Sequence, residues 1–174
     1  RAALLHEKVV FSPAQPLSTD QQIACARQYG ALDVHPVTPA DQANPEVLHI
    51  AHGPDSRGKE NFWHSDVTWR ERPFLGSILR AIELPEVGGD TLFANMTMAY
   101  TALPDALKKR IEGLEADYVY GGRARKSNEL LEPEDRDLPP VRHSLVRVHS
   151  ETGRKSLYFN PTHLLRIVGL DQAE

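Results

Sequence analysis

A single cysteine, Cys25, in 174 residues leaves no internal disulfide and agrees with a reducing compartment, so the cytosol is the default location. Its place inside a helical pattern predicts a buried apolar filler rather than a reactive thiol. No apolar run approaches the roughly 20 residues that a membrane-spanning helix needs. The first residues, "RAALLHEK", carry too much charge for a secretory signal. Positive charge is not in excess: Lys and Arg number 20 against 24 Asp and Glu, a net charge of -4, which removes any general attraction to nucleic acid or anionic lipid. What remains is an ordinary globular balance, 40% apolar and 25% charged, which excludes disorder, collagen and coiled coil. The length suits one domain over residues 1–174 with a sizeable core. The chain opens at Arg1 without methionine and closes on "GLDQAE", which reads as the start of a helix, so residues are expected to be missing at both ends.

The pattern along the chain favours strands over helices. "RAALLHE" reads as the tail of a helix, "KVVF" and "EVLHIA" as short strands, and "STDQQIACARQYG" as a helix with Ser18 and Gln21 in a capping box and Gly30 as its stop. "HGPDSRGKEN" is a polar loop, followed by the strand candidate "FWHSDVTW". "GSILRAIEL" alternates until Pro85, and "EVGGDTLFAN" passes through a glycine turn into another strand. "MTMAYTAL" and "PDALKKRIEGL" are helical, the second with Leu107, Ile111 and Leu114 on one stripe. The chain extends again from Tyr118, "GGRARKSNELLEPEDRDLPP" is a long loop, and "HSLVRVH" with "KSLYFN" flanks a turn at Gly153 as a hairpin. No internal repeat is present. The expected fold is mainly β, a sandwich or barrel with peripheral helices.

Chemistry concentrates in "NFWHSDVTW", residues 61–69. Read as a strand, it sends His64, Asp66 and Thr68 to one face and Ser65, Val67 and Trp69 to the other. An imidazole nitrogen and a carboxylate oxygen at i and i+2 can then converge on one cation. A mixed nitrogen and oxygen site with open positions suits ferrous iron held by two histidines and one carboxylate, and zinc accepts the same donors. The tripeptide alone is weak evidence, since with 8 histidines such a motif arises by chance in about half of comparable chains. The bland alternative is a histidine hydrogen-bonded to a nearby carboxylate.

The context decides between them. "NFWHSDVTW" followed by "RPFLGSILRAIELPEVGGDTLFANMTMAYTALPDALKKRIEGL" resembles the taurine dioxygenase family, the TauD/TfdA group of iron(II)- and 2-oxoglutarate-dependent oxygenases. The similarity resumes in "SLVRVHSETGRKSLYFN" and "LLRIVGL". The resemblance implies a double-stranded β-helix, or jelly roll, with outer helices, incomplete at both ends in this chain. It makes His64 and Asp66 catalytic metal ligands, Thr91 a hydrogen-bond donor to 2-oxoglutarate, His35 a contact for the anionic group of the substrate, and Val67 a residue whose backbone lies against that substrate. Fe(II), 2-oxoglutarate and dioxygen are the implied cofactor and cosubstrates. The implied reaction hydroxylates a small organic anion of sulfonate, sulfate ester or aryloxyalkanoate type, with release of succinate and carbon dioxide.

Departures limit the substrate. Taurine-cleaving members carry tyrosine where this chain has Thr38 and asparagine where it has Glu60, so taurine itself is disfavoured. The family's second iron histidine and its 2-oxoglutarate arginine lie after the "RIVGL" region, beyond this chain. His143 with Arg154, and His149 and His163, precede or fall within that region and read as surface or hairpin residues, with His163 a candidate for the cavity lining. Two other classes stay open: a non-catalytic fragment or binding domain of the same fold, and a zinc hydrolase. The expected partner is a small anionic molecule, with no nucleic acid and no membrane, and a homo-oligomer is left open.

Overall fold

A computed structural model of the protein describes residues 1–35, 43–53, 62–123 and 138–171. Thr38, Glu60, most of the loop at 52–61 and the loop at 124–137 lie outside the described residues. The chain divides into two compact units. One comprises Arg1–Val10, Trp63–Pro73 and Gly88–Glu174, the other Phe11–Phe62 and Phe74–Val87.

The first unit carries the strands. Here β1 (Glu115–Tyr118) lies between β2 (Val141–Ser144) and β5 (Leu164–Ile167) in an antiparallel sheet of order β2-β1-β5. A second sheet pairs β3 (Val146–Val148) with β4 (Lys155–Leu157). That pair is the expected hairpin: Gly153 takes φ 67 in the turn and its N–H donates to the His149 carbonyl at 2.8 Å. The two sheets run into one another, because Leu145 N–H donates to the Leu114 carbonyl at 2.9 Å and Tyr158 N–H donates to the Leu145 carbonyl at 2.7 Å. Ala116, Tyr118, Leu145 and Leu164 form the buried cluster, flanked by Trp69, Leu114 and Ile167. Removing these apolar surfaces from water is the main force holding the strands together.

Three helices belong to the same unit: α1 (Ala2–Glu7), α3 (Met96–Ala102) and α4 (Asp105–Ile111). The Asn95 side chain starts α3 by accepting from Thr97 and Met98 N–H, both at 3.1 Å. The predicted stripe of α4 is present but shallow: Ile111 and Leu114 are half-buried and Leu107 is exposed.

The second unit is built on α2 (Thr19–Arg27). Ser18 Oγ accepts from Gln21 N–H at 3.2 Å while Gln21 Oε1 accepts from Ser18 N–H at 2.8 Å, the capping box read from the sequence. Arg80 ties residues 74–87 to this helix start through the Leu17 carbonyl and Thr19 Oγ1, and Gln22 Nε2 donates to the Ile78 carbonyl at 3.1 Å. Ile23 is the buried residue of α2, whereas Cys25 is exposed rather than the buried filler expected. Two residues along an α-helix turn about 200°, so the face opposite Ile23 is where Cys25 must lie.

Several expected strands are not formed among the described residues. "KVVF", "GSILRAIEL", "EVGGDTLFAN" and "FWHSDVTW" have no ladder, and "EVLHIA" contributes one bridge residue, Leu48. Leu79, Ile82, Leu84 and Leu92 are exposed in these stretches. Alternation marks a chain fit for a sheet, but the strand exists only where a second backbone accepts its hydrogen bonds. Among the described residues no helix is long and apolar enough to cross a membrane.

Candidate metal centre

His64 and Asp66 come together on a turn, not on a strand. Residues 66–69 form the turn, closed by Arg70 N–H donating to the Val67 carbonyl at 2.9 Å. Val67 sits at φ 47 in the left-handed region, a conformation that costs a β-branched residue about 1–2 kcal/mol and that no strand contains. The alternation argument is therefore overturned at this segment. Thr68, expected beside His64 and Asp66 on one face, is fully buried, whereas the two candidate ligands are partly exposed.

The pair nevertheless converges. His64 Nε2 lies 3.5 Å from Asp66 Oδ1. Two donors bound to one cation at about 2.1 Å and at right angles stand about 3 Å apart, and a separation near 3.5 Å corresponds to an angle of about 110°. One ion can thus reach both without a change of backbone. The donor set, one imidazole nitrogen and one carboxylate oxygen with an open side, fits ferrous iron. Among the described residues no third His, Cys, Asp or Glu joins them to complete a ligand group.

What holds the turn was missed at the sequence level. Asn160, fully buried, donates from Nδ2 to the Ser65 carbonyl at 2.6 Å and to Thr68 Oγ1 at 3.1 Å. His143, expected to be a surface or hairpin residue, is instead half-buried on β2, outside the β3–β4 hairpin, with Nε2 2.9 Å from the Arg70 carbonyl oxygen. That contact requires the proton on Nε2, because a carbonyl only accepts. The only sequence-level sign of Asn160 was a polar residue ending the apolar run "SLYFN".

Other candidates are placed as follows. Val67 is buried beneath the turn. Thr91 lies exposed in the irregular stretch after Gly88 and Gly89, whose φ values of 81 and 74 are left-handed, although the chain bends at 86 and 87 and closes no turn at the glycines themselves. His35 is half-buried in the second unit. His163 stacks on Tyr120 with ring centres 5.4 Å apart and accepts from Gly121 N–H at 3.2 Å, which gives it a packing role. His149 is exposed and accepts from Glu151 N–H within the hairpin turn.

Comparison with known proteins gives the family of the chain. The sequence model described as taurine catabolism dioxygenase TauD, TfdA family matches residues 1–174. A protein named alkylsulfatase from Acinetobacter baylyi is 37% identical over 187 residues, covering 99% of this chain and 56% of that protein. An alpha-ketoglutarate-dependent 2,4-dichlorophenoxyacetate dioxygenase from Cupriavidus pinatubonensis is 34% identical, covering 98% of this chain and 66% of its own length. The crystal structure of a taurine dioxygenase from Burkholderia xenovorans superimposes with a TM-score of 0.78 at 34% identity, covering 98% of this chain and 55% of that one. The chain belongs to the TauD/TfdA family, and its fold is that of these dioxygenases. It spans between about half and two thirds of the relatives' lengths.

Proposed function

We propose that this chain is part of an Fe(II)- and 2-oxoglutarate-dependent dioxygenase that hydroxylates a small organic anion. The observation that carries this is the convergence of His64 Nε2 and Asp66 Oδ1 at 3.5 Å on a buttressed turn, in a chain of the TauD/TfdA family. The relatives' names support the substrate class, since they include an alkylsulfatase, a dichlorophenoxyacetate dioxygenase and a taurine dioxygenase. Their shared chemistry is a small molecule carrying an acidic group.

On this reading His64 and Asp66 hold the iron, and the bound metal with 2-oxoglutarate and dioxygen supplies the oxidising power for attack on a C–H bond. Thr91, by its resemblance to the family's threonine, donates its hydroxyl to a carboxylate of 2-oxoglutarate. His35 has the chemistry to donate to the substrate's oxyanion, and the Val67 backbone is the family's counterpart of a substrate contact. The protein's share is orientation of the target carbon and exclusion of water. The second iron histidine and the 2-oxoglutarate arginine lie outside residues 1–174 on this reading. Residues 1–174 are then one domain of double-stranded β-helix type, a description supported by the two antiparallel sheets and by likeness to the solved taurine dioxygenase.

The test is succinate release, screened over sulfonates, sulfate esters and aryloxy acids with added Fe(II) and 2-oxoglutarate. Substrate-dependent succinate that disappears in His64→Ala supports the proposal, and turnover retained in that variant contradicts it. A second reading, a non-catalytic binding domain, draws on the two-ligand count among the described residues. Tight binding of an anionic ligand with no succinate under any condition is its signature.

A further inference from the structure

We infer that Asn160 is a positioning residue that sets the separation of His64 and Asp66, an inference that rests on the metal-centre reading above. Its side chain has no exposure to solvent, and both amide hydrogens go to a single turn: one to the Ser65 carbonyl at 2.6 Å, the other to Thr68 Oγ1 at 3.1 Å. The Ser65 carbonyl belongs to the peptide that joins Ser65 to Asp66. The amide thus grips the backbone between the two ligand residues and the side chain of Thr68 two residues beyond Asp66.

The other half of Asn160 is anchored to the sheet. Oδ1 accepts from Thr162 N–H at 3.1 Å, and the Asn160 backbone carbonyl accepts from Leu164 N–H at 3.0 Å, at the first residue of β5. A primary amide is the side chain that offers two hydrogens on one side and an acceptor on the other. A carboxylate of the same shape would set oxygen against the Ser65 carbonyl oxygen. Between the two gripped positions stands Val67 at φ 47, a conformation that persists only when its surroundings impose it. His143 on the Arg70 carbonyl closes the far end of the turn at 2.9 Å. The ligand pair therefore takes its geometry from β2 and from the entry to β5 rather than from its own backbone preference.

The experiment uses the full chain freed of metal, with Co(II) as the probe in an anaerobic titration and amide hydrogen exchange as a second readout. His64→Ala is expected to lose Co(II) binding. Asn160→Asp and Asn160→Ala are expected to weaken it about 10- to 100-fold, the range for residues that orient metal ligands. They are also expected to speed exchange at residues 64–70 while β1 and β2 stay protected. Ile23→Ala, a truncation of the buried residue of α2 in the other unit, is expected to lower the unfolding midpoint yet hold Co(II) within about twofold of the parent. If the Asn160 variants lower the midpoint but bind Co(II) like the parent, the residue is a buried polar group of the core and the inference is overturned. Co(II) binding unchanged in His64→Ala overturns instead the metal-centre reading itself. Should the Asn160 variants fail to fold, Thr68→Val removes one of the two bonds, and an unchanged affinity there counts against the inference just as directly.

Discussion

Arg142 and Arg166 both donate to Asp117, at 2.8 Å and 2.7 Å, from positions directly opposite it on the two neighbouring strands. Asp117 is the buried charged residue of the middle strand, whose Glu115 is exposed, while Ala116 and Tyr118 turn to the apolar core. Arg142 and then Arg166 hold its carboxyl below the usual carboxylate range, against burial, which acts the other way.

Asp117→Asn is therefore expected to lower stability by about 2 kcal/mol near neutral pH, since it weakens two charge-assisted bonds whose arginine ends are half open to solvent. The sign of the pH effect follows from a depressed carboxyl. Its contribution is complete above about pH 4, the unfolded value, and is lost as pH falls through the lower folded value. Urea titrations of parent and variant should converge as the pH drops below about 4. A constant gap at all pH values would contradict this.

Burial raises Tyr118, Tyr120 and Tyr158 alike, so all three share the alkaline limb, with Tyr118 raised furthest. The Tyr118 hydroxyl is pushed up to about 12, and that O–H donates to the Tyr158 carbonyl at 3.0 Å. A raised folded value means the contribution is complete below about pH 10 and disappears as pH rises through 12, a loss of about 2–3 kcal/mol. Tyr118→Phe should cost about 1 kcal/mol at neutral pH and flatten part of the decline between pH 10 and 12. Thermal melts across that window check it.

Gly122 is held by space as well as by conformation. It has φ 55, and an added Cβ would run into the Thr162 carbonyl oxygen and lie 3.0 Å from the Leu164 carbonyl oxygen. Gly122→Ala is expected to destabilise by about 2–3 kcal/mol, more than the roughly 1 kcal/mol of the left-handed conformation alone. A chemical unfolding curve within about 0.5 kcal/mol of the parent would show that the β5 entry yields freely.

Asp66→Asn separates metal binding from folding. The side chain is mostly exposed, so the metal-free protein should unfold within about 0.5 kcal/mol of the parent. On the proposed reading, Co(II) affinity should fall by more than about tenfold because an amide is a poorer ligand than a carboxylate. Equal affinity in the two proteins would remove Asp66 from the site.

Local chemistry was written plainly in the chain. The capping box of Ser18 and Gln21 and the hairpin around Gly153 each depend on neighbours a few residues apart, so sequence alone determined them. The pairing of His64 with Asp66 was legible for the same reason, together with the motif that marks the family. The conformation carrying that pair was not. Val67 is β-branched and favours extended backbone, and bonds from Asn160 and His143, roughly 75 to 95 residues distant in sequence, hold the segment in a turn that this preference does not predict. The same holds for "GSILRAIEL", whose alternation promised a strand, and for the strand expected in "EVGGDTLFAN": a strand needs a partner's hydrogen bonds, and those come from tertiary structure rather than from the segment itself.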